Sequence, residues 1–143
     1  MRGEADCPLC SADGEDVVWR DDFCRVILLD DPGYPGFCRV ILNAHVKEFS
    51  DLAATEHRRL IDVVCAVEKA VREIVRPDKI NLASLGNVVP HLHWHVIPRF
   101  ADDPNFPDAI WAPARRETST RSAPGDLRAR LGQLLRTRLV PAG

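Results

Sequence analysis

The 143-residue sequence lacks any apolar run that approaches the roughly 20 residues needed to span a bilayer. Its opening residues also lack the apolar core of a secretory signal peptide. We therefore expect a cytoplasmic protein whose five cysteines are mostly reduced. Internal repeats, low-complexity segments and long linkers are absent too, so we expect residues 1–143 to form one domain.

A strong charge imbalance is also absent, because the formal net charge is only -2. The charges are unevenly spread: nine acidic residues lie within residues 1–31, and seven arginines lie within residues 111–143. The arginine-rich end lacks the interleaved aromatic residues that stack on single-stranded nucleic acid. We interpret both ends as solvated surface and do not expect nucleic acid as a partner.

Short runs rich in β-branched and aromatic residues predict strands. Five such runs occur, at residues 17–20, 23–29, 37–42, 80–85 and 91–98. Only Asp21 and Asp22 separate the first two runs, which predicts a hairpin. Residues 30–36 hold two prolines and two glycines, so they predict a turn-rich loop before the third strand.

Apolar residues that recur every three or four positions predict a long helix over residues 55–75, and Pro77 marks its end. Leucines between residues 127 and 135 predict a shorter helix over residues 126–138, after a proline-rich loop at residues 101–113. The order of elements predicts an α+β fold: an antiparallel sheet of about five strands, one long helix and a C-terminal helix.

Three of the five histidines stand at alternate positions in the segment PHLHWHVIP, residues 90–98. Side chains alternate between the two faces of a strand, so His91, His93 and His95 are expected on one face and the intervening apolar residues on the other. The spacing leaves two interpretations open. The histidines form a metal site, or one of them is a nucleophile flanked by two helpers.

The residues around these histidines resemble the histidine triad (HIT) family of nucleotide hydrolases and transferases. The resemblance includes the motif His91-Leu92-His93-Trp94-His95-Val96-Ile97, Gly86-Asn87 before it, Pro98-Arg99 after it, and Pro35-Gly36-Phe37 leading into a strand that ends near His45. It implies a HIT-like fold with its core at residues 17–100, an N-terminal CxxC segment at 1–16, and a C-terminal loop and helix at 101–143.

The resemblance also implies an enzyme. His93 would attack the α-phosphorus of a nucleoside phosphoramidate, dinucleoside polyphosphate or related nucleotide, and a covalent nucleotidyl-histidine would form. A neutral imidazole is a suitable nucleophile near pH 7. His95 would donate to the phosphate oxygens, and His91 is the third catalytic candidate. This chemistry requires no cofactor. Because most relatives are homodimers, the resemblance also implies a homodimer.

One position departs from the family pattern. Many relatives carry serine or threonine three residues before the first histidine, whereas this chain has Val88, which cannot donate a hydrogen bond. Two alternatives therefore stay open: a non-catalytic module that binds nucleotides or a partner, and a zinc-dependent hydrolase in which all three histidines bind the metal.

The resemblance points to five further residues that would bind substrate. Asp30 and Asp31, at the end of the second strand, would accept hydrogen bonds from the ribose hydroxyls. Asn81 would face the site. Gly86 and Asn87 would approach the phosphate closely, because glycine has no side chain.

Cys7 and Cys10 form a CxxC motif. A redox role requires a strand that opens into a helix, and residues 1–16 are interpreted as irregular. Two thiolates at this spacing bind one zinc ion and need two more ligands. Some family members supply a histidine after the third strand and the first triad histidine, so the resemblance implies a structural zinc site that includes His45 and His91. Three further cysteines, Cys24, Cys38 and Cys65, are expected in the core.

Overall fold

The computed structural model describes residues 4–117 and 121–139. Five antiparallel strands form one sheet in the order β1-β2-β3-β5-β4. Their bounds are β1 Val17–Arg20, β2 Cys24–Leu28, β3 Cys38–Leu42, β4 Lys79–Ala83 and β5 His93–Arg99. The predicted α+β fold is therefore confirmed. The fifth strand was predicted from His91 to Pro98, but it begins at His93 and ends at Arg99, so His91 precedes the strand.

The predicted hairpin at Asp21 and Asp22 is confirmed by the antiparallel pairing of β1 with β2. The Asp21 carboxylate accepts hydrogen bonds from the backbone N–H groups of Phe23 and Cys24, both at 2.8 Å. An aspartate that bonds its own backbone two or three residues on favours a turn over a continued strand.

Within the described residues, three α-helices accompany the sheet, α1 Pro8–Ser11, α2 Ala54–Val75 and α3 Leu127–Arg138, together with a 3-10 helix at Phe49–Asp51. Glu56 accepts a hydrogen bond from the backbone N–H of Ala53, and so completes the first turn of α2. The helix ends where Arg76 adopts a left-handed φ of 55°, just before Pro77. Both predicted helices are confirmed, but the interpretation of residues 1–16 as irregular is wrong for α1.

The core lies between α2 and one face of the sheet. Val26, Val40 and Val96 are fully buried on that face and pack with the apolar stripe of α2. Cys24 and Cys38 belong to the core as predicted, whereas Cys65 is exposed, and its prediction as a core residue is wrong. Cys65 lies outside the apolar stripe of α2, on the solvent side of the helix.

The opposite face of the sheet, called here the histidine face, carries His93 and His95 of β5. Because β3 pairs with β5, Ile41 lies opposite His93 and Arg39 lies opposite His95. Antiparallel partners on one face stand close enough for their side chains to interact. Within the described parts of the chain, no helix has both the length and the apolar character needed to cross a membrane.

Candidate active site and metal site

His93 is held by the backbone that precedes it. Its Nδ1 atom lies 2.6 Å from the carbonyl oxygen of His91. A carbonyl oxygen only accepts hydrogen bonds, so Nδ1 of His93 must carry the hydrogen. In the neutral ring, the lone pair is then on Nε2, the nitrogen that attacks phosphorus in a nucleophilic histidine.

His95 has the opposite tautomer, because its Nδ1 atom faces a donor. The Nε–H of Arg39 donates to Nδ1 of His95 across a distance of 3.4 Å. Nδ1 must therefore be the unprotonated nitrogen, which leaves the hydrogen on Nε2 as a donor. The ring centroids of His93 and His95 are 5.0 Å apart, so an attacking nitrogen and a hydrogen-bond donor lie side by side.

Burial keeps these imidazoles neutral at pH 7. It lowers the pKa of His93, and it lowers the pKa of His95 to about 4. The charges of Arg39 and of His93 itself add to the effect on His95. Arg39 is half-buried, and burial lowers its pKa as well. A neutral His95 is still able to donate through Nε2–H.

His91 points away from this pair, into a cluster with Cys7, Cys10 and His45, called here the Cys/His cluster. Its Nδ1 atom lies 3.4 Å from Cys7 Sγ and 3.5 Å from Cys10 Sγ. Nδ1 of His45 lies 3.2 Å from Cys10 Sγ. Among the described residues, the four ligand atoms all lie within 4.8 Å of one another.

This arrangement fits a tetrahedral zinc ion. Zn–S bonds of about 2.3 Å and Zn–N bonds of about 2.0–2.1 Å place sulfur and nitrogen roughly 3.5 Å apart, close to the observed distances. The other ring nitrogen of each histidine, Nε2, also has a partner. Nε2 of His91 lies 2.7 Å from the carbonyl oxygen of Leu42, and Nε2 of His45 lies 3.6 Å from the Glu4 carboxylate. Such partners direct Nδ1 toward a metal.

The three triad histidines do not converge on a common point that would hold a metal. Their nitrogens make three different contacts: His91 with the thiols, His93 with a carbonyl and His95 with Arg39. Among the described residues, the Cys/His cluster is the only group of three or more His, Cys, Asp or Glu side chains that could hold a metal ion. The geometry therefore disfavours the alternative of a zinc-dependent hydrolase that uses all three histidines as ligands.

Asp30 and Asp31 line a cavity of about 760 Å³, called here the acidic cavity, which also reaches Arg39. Asp31 accepts a hydrogen bond from the backbone N–H of Gly33 at 3.0 Å, whereas Asp30 is exposed. Both residues predicted to bind the ribose thus line a cavity that reaches the histidine face at Arg39, and their role stays a prediction. Arg39 was not predicted, because its position beside His95 depends on the pairing of β3 with β5.

Asn81 lies on the histidine face, opposite Ile97. Its side-chain oxygen accepts a hydrogen bond of 2.7 Å from Nη1 of Arg99, so its amide N–H groups point elsewhere. Arg99 and Asp103 form a buried ion pair at 2.8 Å. This ion pair was not predicted from the sequence. The only feature of the sequence that could have indicated the pair is the four-residue separation of Arg99 and Asp103.

Gly86 and Asn87 lie in the loop between β4 and β5. Gly86 has a φ of +73°, a left-handed conformation that favours glycine. Asn87 is exposed, and the Val88 side chain is 93% exposed. Within residues 4–117 and 121–139, no hydrogen bond joins Gly86 or Asn87 to the histidines.

Trp111 lies beside the active-site pair, with its ring centroid 5.1 Å from that of His95. Its side chain is half exposed. The backbone of this loop is anchored, since Asn105 donates to the carbonyl oxygen of Ala112 at 2.8 Å. The sequence alone does not place Trp111 beside His95, because a residue in a proline-rich loop gives no signal of its position.

A five-stranded antiparallel sheet with alternating histidines on β5, the strand next to the edge, is the arrangement expected of a histidine triad protein. A family model described as HIT domain matches residues 12–102. The chain therefore belongs to the HIT domain family.

Two curated relatives illustrate the family. The AP-4-A phosphorylase of Mycobacterium tuberculosis is 29% identical over 96 residues, which cover 63% of this chain and 49% of that protein. The bis(5'-adenosyl)-triphosphatase of Saccharomyces cerevisiae is 27% identical over 92 residues, which cover 60% and 45%. The matched region thus spans about half the length of these relatives.

Solved structures agree with the fold. A histidine triad protein from Marinobacter aquaeolei superposes with a TM-score of 0.72 at 26% identity, and the match covers 90% of this chain and 93% of that chain. A zinc-bound histidine triad family protein from Mycobacterium smegmatis gives a TM-score of 0.62 at 24% identity, with 94% and 93% covered. The second likeness concerns the fold alone.

Proposed function

We propose that the protein is a nucleotidyl hydrolase or transferase that cleaves the α-phosphate bond of a nucleoside phosphoramidate, a dinucleoside polyphosphate or a related nucleotide. The observation that carries the proposal is the 2.6 Å contact between His93 Nδ1 and the His91 carbonyl oxygen, because it leaves Nε2 of His93 as the nucleophile. The names of the two curated relatives, both of which refer to adenosine polyphosphates, support this substrate class.

In the first step, Nε2 of His93 forms a bond to the α-phosphorus while the bond to the leaving group breaks. The leaving group takes the electron pair and receives a proton from solvent, since Val88 cannot donate one. The His93 ring becomes cationic, and its Nδ1–H donates more strongly to the His91 carbonyl. His95 donates from Nε2 to a non-bridging oxygen.

In the second step, water attacks the phosphorus and the bond to Nε2 breaks, so that the electron pair returns to His93. The proton of the attacking water passes to solvent, and a nucleoside monophosphate leaves. If another hydroxyl group or a phosphate attacks in place of water, the nucleotidyl group is transferred to that acceptor. Two displacements replace one harder displacement, which is the benefit of a covalent intermediate.

We also propose that Cys7, Cys10, His45 and His91 bind a structural zinc ion. Bound zinc would cross-link α1 to the segments around His45 and His91 and would supply no chemistry to the phosphate. His91 is thus proposed to position His93 through its backbone instead of touching the substrate. Asp30, Asp31, Asn81, Gly86 and Asn87 remain the proposed substrate-binding residues.

The protein is further proposed to be a single-domain, cytoplasmic homodimer. The edge strand β4 supports a dimer, because Leu82 is 42% exposed there and Leu85, just after it, is 53% exposed. Exposed apolar residues on an unpaired edge are typical of an interaction surface. Nucleic acid is not among the proposed partners.

A substrate panel tests the proposed activity. Adenosine and guanosine phosphoramidates, dinucleoside polyphosphates and adenosine phosphosulfate are incubated with wild type, His93→Ala and a control variant, His57→Ala, which lies in α2. We expect His93→Ala to lose turnover by about 10⁴-fold or more, and His57→Ala to retain it. Tight nucleotide binding without turnover by wild type would instead favour the non-catalytic module.

A further inference from the structure

Arg39 is a half-buried residue of the histidine face, and its guanidinium has no carboxylate partner among the described residues. Its Nε–H is directed at His95, which is neutral. No ion pair within 4.0 Å joins Arg39 to an acidic side chain in the part of the chain that the structure describes. A buried charge without a counter-charge is costly, so the position implies an anion that arrives from outside the chain.

Arg25 provides a contrast on the same face of the sheet. It lies on β2 opposite Ile41 and is bound by both oxygens of Glu15, at 2.6 and 2.7 Å. Glu15 is also the acidic residue whose charge acts on Arg39, but both of its oxygens are engaged by Arg25. The fold therefore neutralises one of these two arginines and leaves the other with a net charge.

The acidic cavity extends from Arg39 toward the carboxylates of Asp13, Asp30 and Asp31. One end of the cavity thus offers a cation beside His95, and its wall offers hydrogen-bond acceptors. A nucleotide has the matching polarity, since its phosphate is an anion and its ribose donates hydrogen bonds through two hydroxyl groups. This match orients the phosphate toward Arg39 and the nucleoside toward the carboxylates.

We propose that Arg39 binds the non-bridging oxygens of the α-phosphate together with His95. The inference rests on the proposed function and adds a binding residue to it. With Nε directed at His95, the two Nη groups remain to bind phosphate, and a planar guanidinium suits two oxygens at once. Arg39 stays protonated throughout, so it stabilises charge on the phosphate without transferring a proton.

The test compares ligands with and without a phosphate. Adenosine, guanosine and their 5'-monophosphates are titrated by calorimetry into wild type, Arg39→Gln and Arg39→Lys, and thermal unfolding confirms that each variant is folded. We expect Arg39→Gln to weaken binding of the monophosphates by about 10- to 100-fold and to change nucleoside binding by less than about threefold. Arg39→Lys should bind the monophosphates more tightly than Arg39→Gln and less tightly than wild type. Lysine keeps the positive charge but lacks the planar guanidinium that binds two oxygens at once.

Equal affinity of wild type and Arg39→Gln for the monophosphates would overturn the inference, as would an equal loss for nucleosides and monophosphates. In both cases, a nucleotide adduct on wild-type His93 would leave the proposed function standing. If Arg39→Gln does not fold, Arg39→Lys decides the matter, and unchanged monophosphate affinity in that variant overturns the inference. Absence of both monophosphate binding and adduct in wild type would overturn the proposed function and the inference together.

Discussion

The Nδ1 atom of His93 lies 2.6 Å from the carbonyl oxygen of His91, and the side chain of His91 lies among the thiols of Cys7 and Cys10. One residue thus belongs to the Cys/His cluster through its ring and to the active site through its backbone. Anything that displaces His91 from the cluster also displaces the acceptor that fixes the tautomer of His93.

Loss of a cluster ligand should therefore reduce both stability and turnover. We expect wild type to contain about one zinc ion per chain and Cys10→Ser to contain much less, as measured by elemental analysis. Stability should fall by about 2.7 kcal/mol for free zinc at 100 times its Kd. The matched control is Cys65→Ser, because Cys65 is exposed and outside the cluster. The proposed zinc site would be contradicted if wild type contained no zinc and if neither added zinc nor a chelator changed its unfolding.

The burial of His95 predicts a pH-dependent stability. Its pKa falls from 6.5 to about 4 on folding, so between these pH values the unfolded chain binds a proton that the folded chain does not. The free energy of unfolding should thus decrease as pH falls from about 6.5 to 4, by roughly 3 kcal/mol from this residue. Urea unfolding at a series of pH values measures this decrease, and His95→Gln should show a shallower dependence. Parallel pH profiles for the two proteins would be inconsistent with a buried, neutral His95.

The ion pair of Arg99 and Asp103 should contribute strongly to stability. Asp103 also accepts hydrogen bonds from the backbone N–H groups of Phe100, Asn105 and Phe106, and together with the Arg99 bonds these lower its pKa. Asp103→Ala leaves the buried guanidinium of Arg99 without its counter-charge, which typically costs about 3–5 kcal/mol.

The neighbouring Asp102 serves as the control for this prediction. It is exposed and pairs with Arg121 at 2.9 Å, so Asp102→Ala should cost no more than about 1 kcal/mol in chemical denaturation. Similar losses for the two variants would mean that the buried network does not stabilise this loop.

The exposed edge of β4 predicts that an acidic substitution there disrupts the dimer. Leu82→Asp should elute as a monomer in size-exclusion chromatography with light scattering, whereas wild type and Leu82→Met should elute as dimers. A carboxylate opposes burial of this edge against a second copy. A monomeric wild type across the micromolar range would refute the proposed dimer, without bearing on the chemistry at His93.

Local patterns predicted much of the fold and part of the site. Alternation placed His93 and His95 on one face of a strand, and the resemblance to the family indicated the four residues that the structure gathers in the Cys/His cluster. Periodicity located α2 within one residue of its observed start at Ala54. These features depend on neighbours in sequence, where side-chain direction follows from the backbone repeat.

The features that the sequence did not predict depend on contacts between distant segments. Arg39 lies beside His95 only because β3 pairs with β5 in one register, and a shift of one residue would turn its side chain to the other face. Trp111 reaches His95 through an irregular loop whose path follows no repeat. Cys65 was predicted to be a core residue from its apolar neighbours in sequence, although its position on α2 faces solvent.

The central claim is that Nε2 of His93 becomes covalently bonded to phosphorus during turnover. The most direct test is intact-mass spectrometry of protein quenched in mid-turnover with the best substrate of the panel, followed by peptide mapping under conditions that preserve the phosphorus–nitrogen bond. We predict that wild type gains the mass of one nucleotidyl group on His93 and that His93→Ala gains none. Wild-type turnover without an adduct, together with undiminished turnover in His93→Ala, would contradict the account.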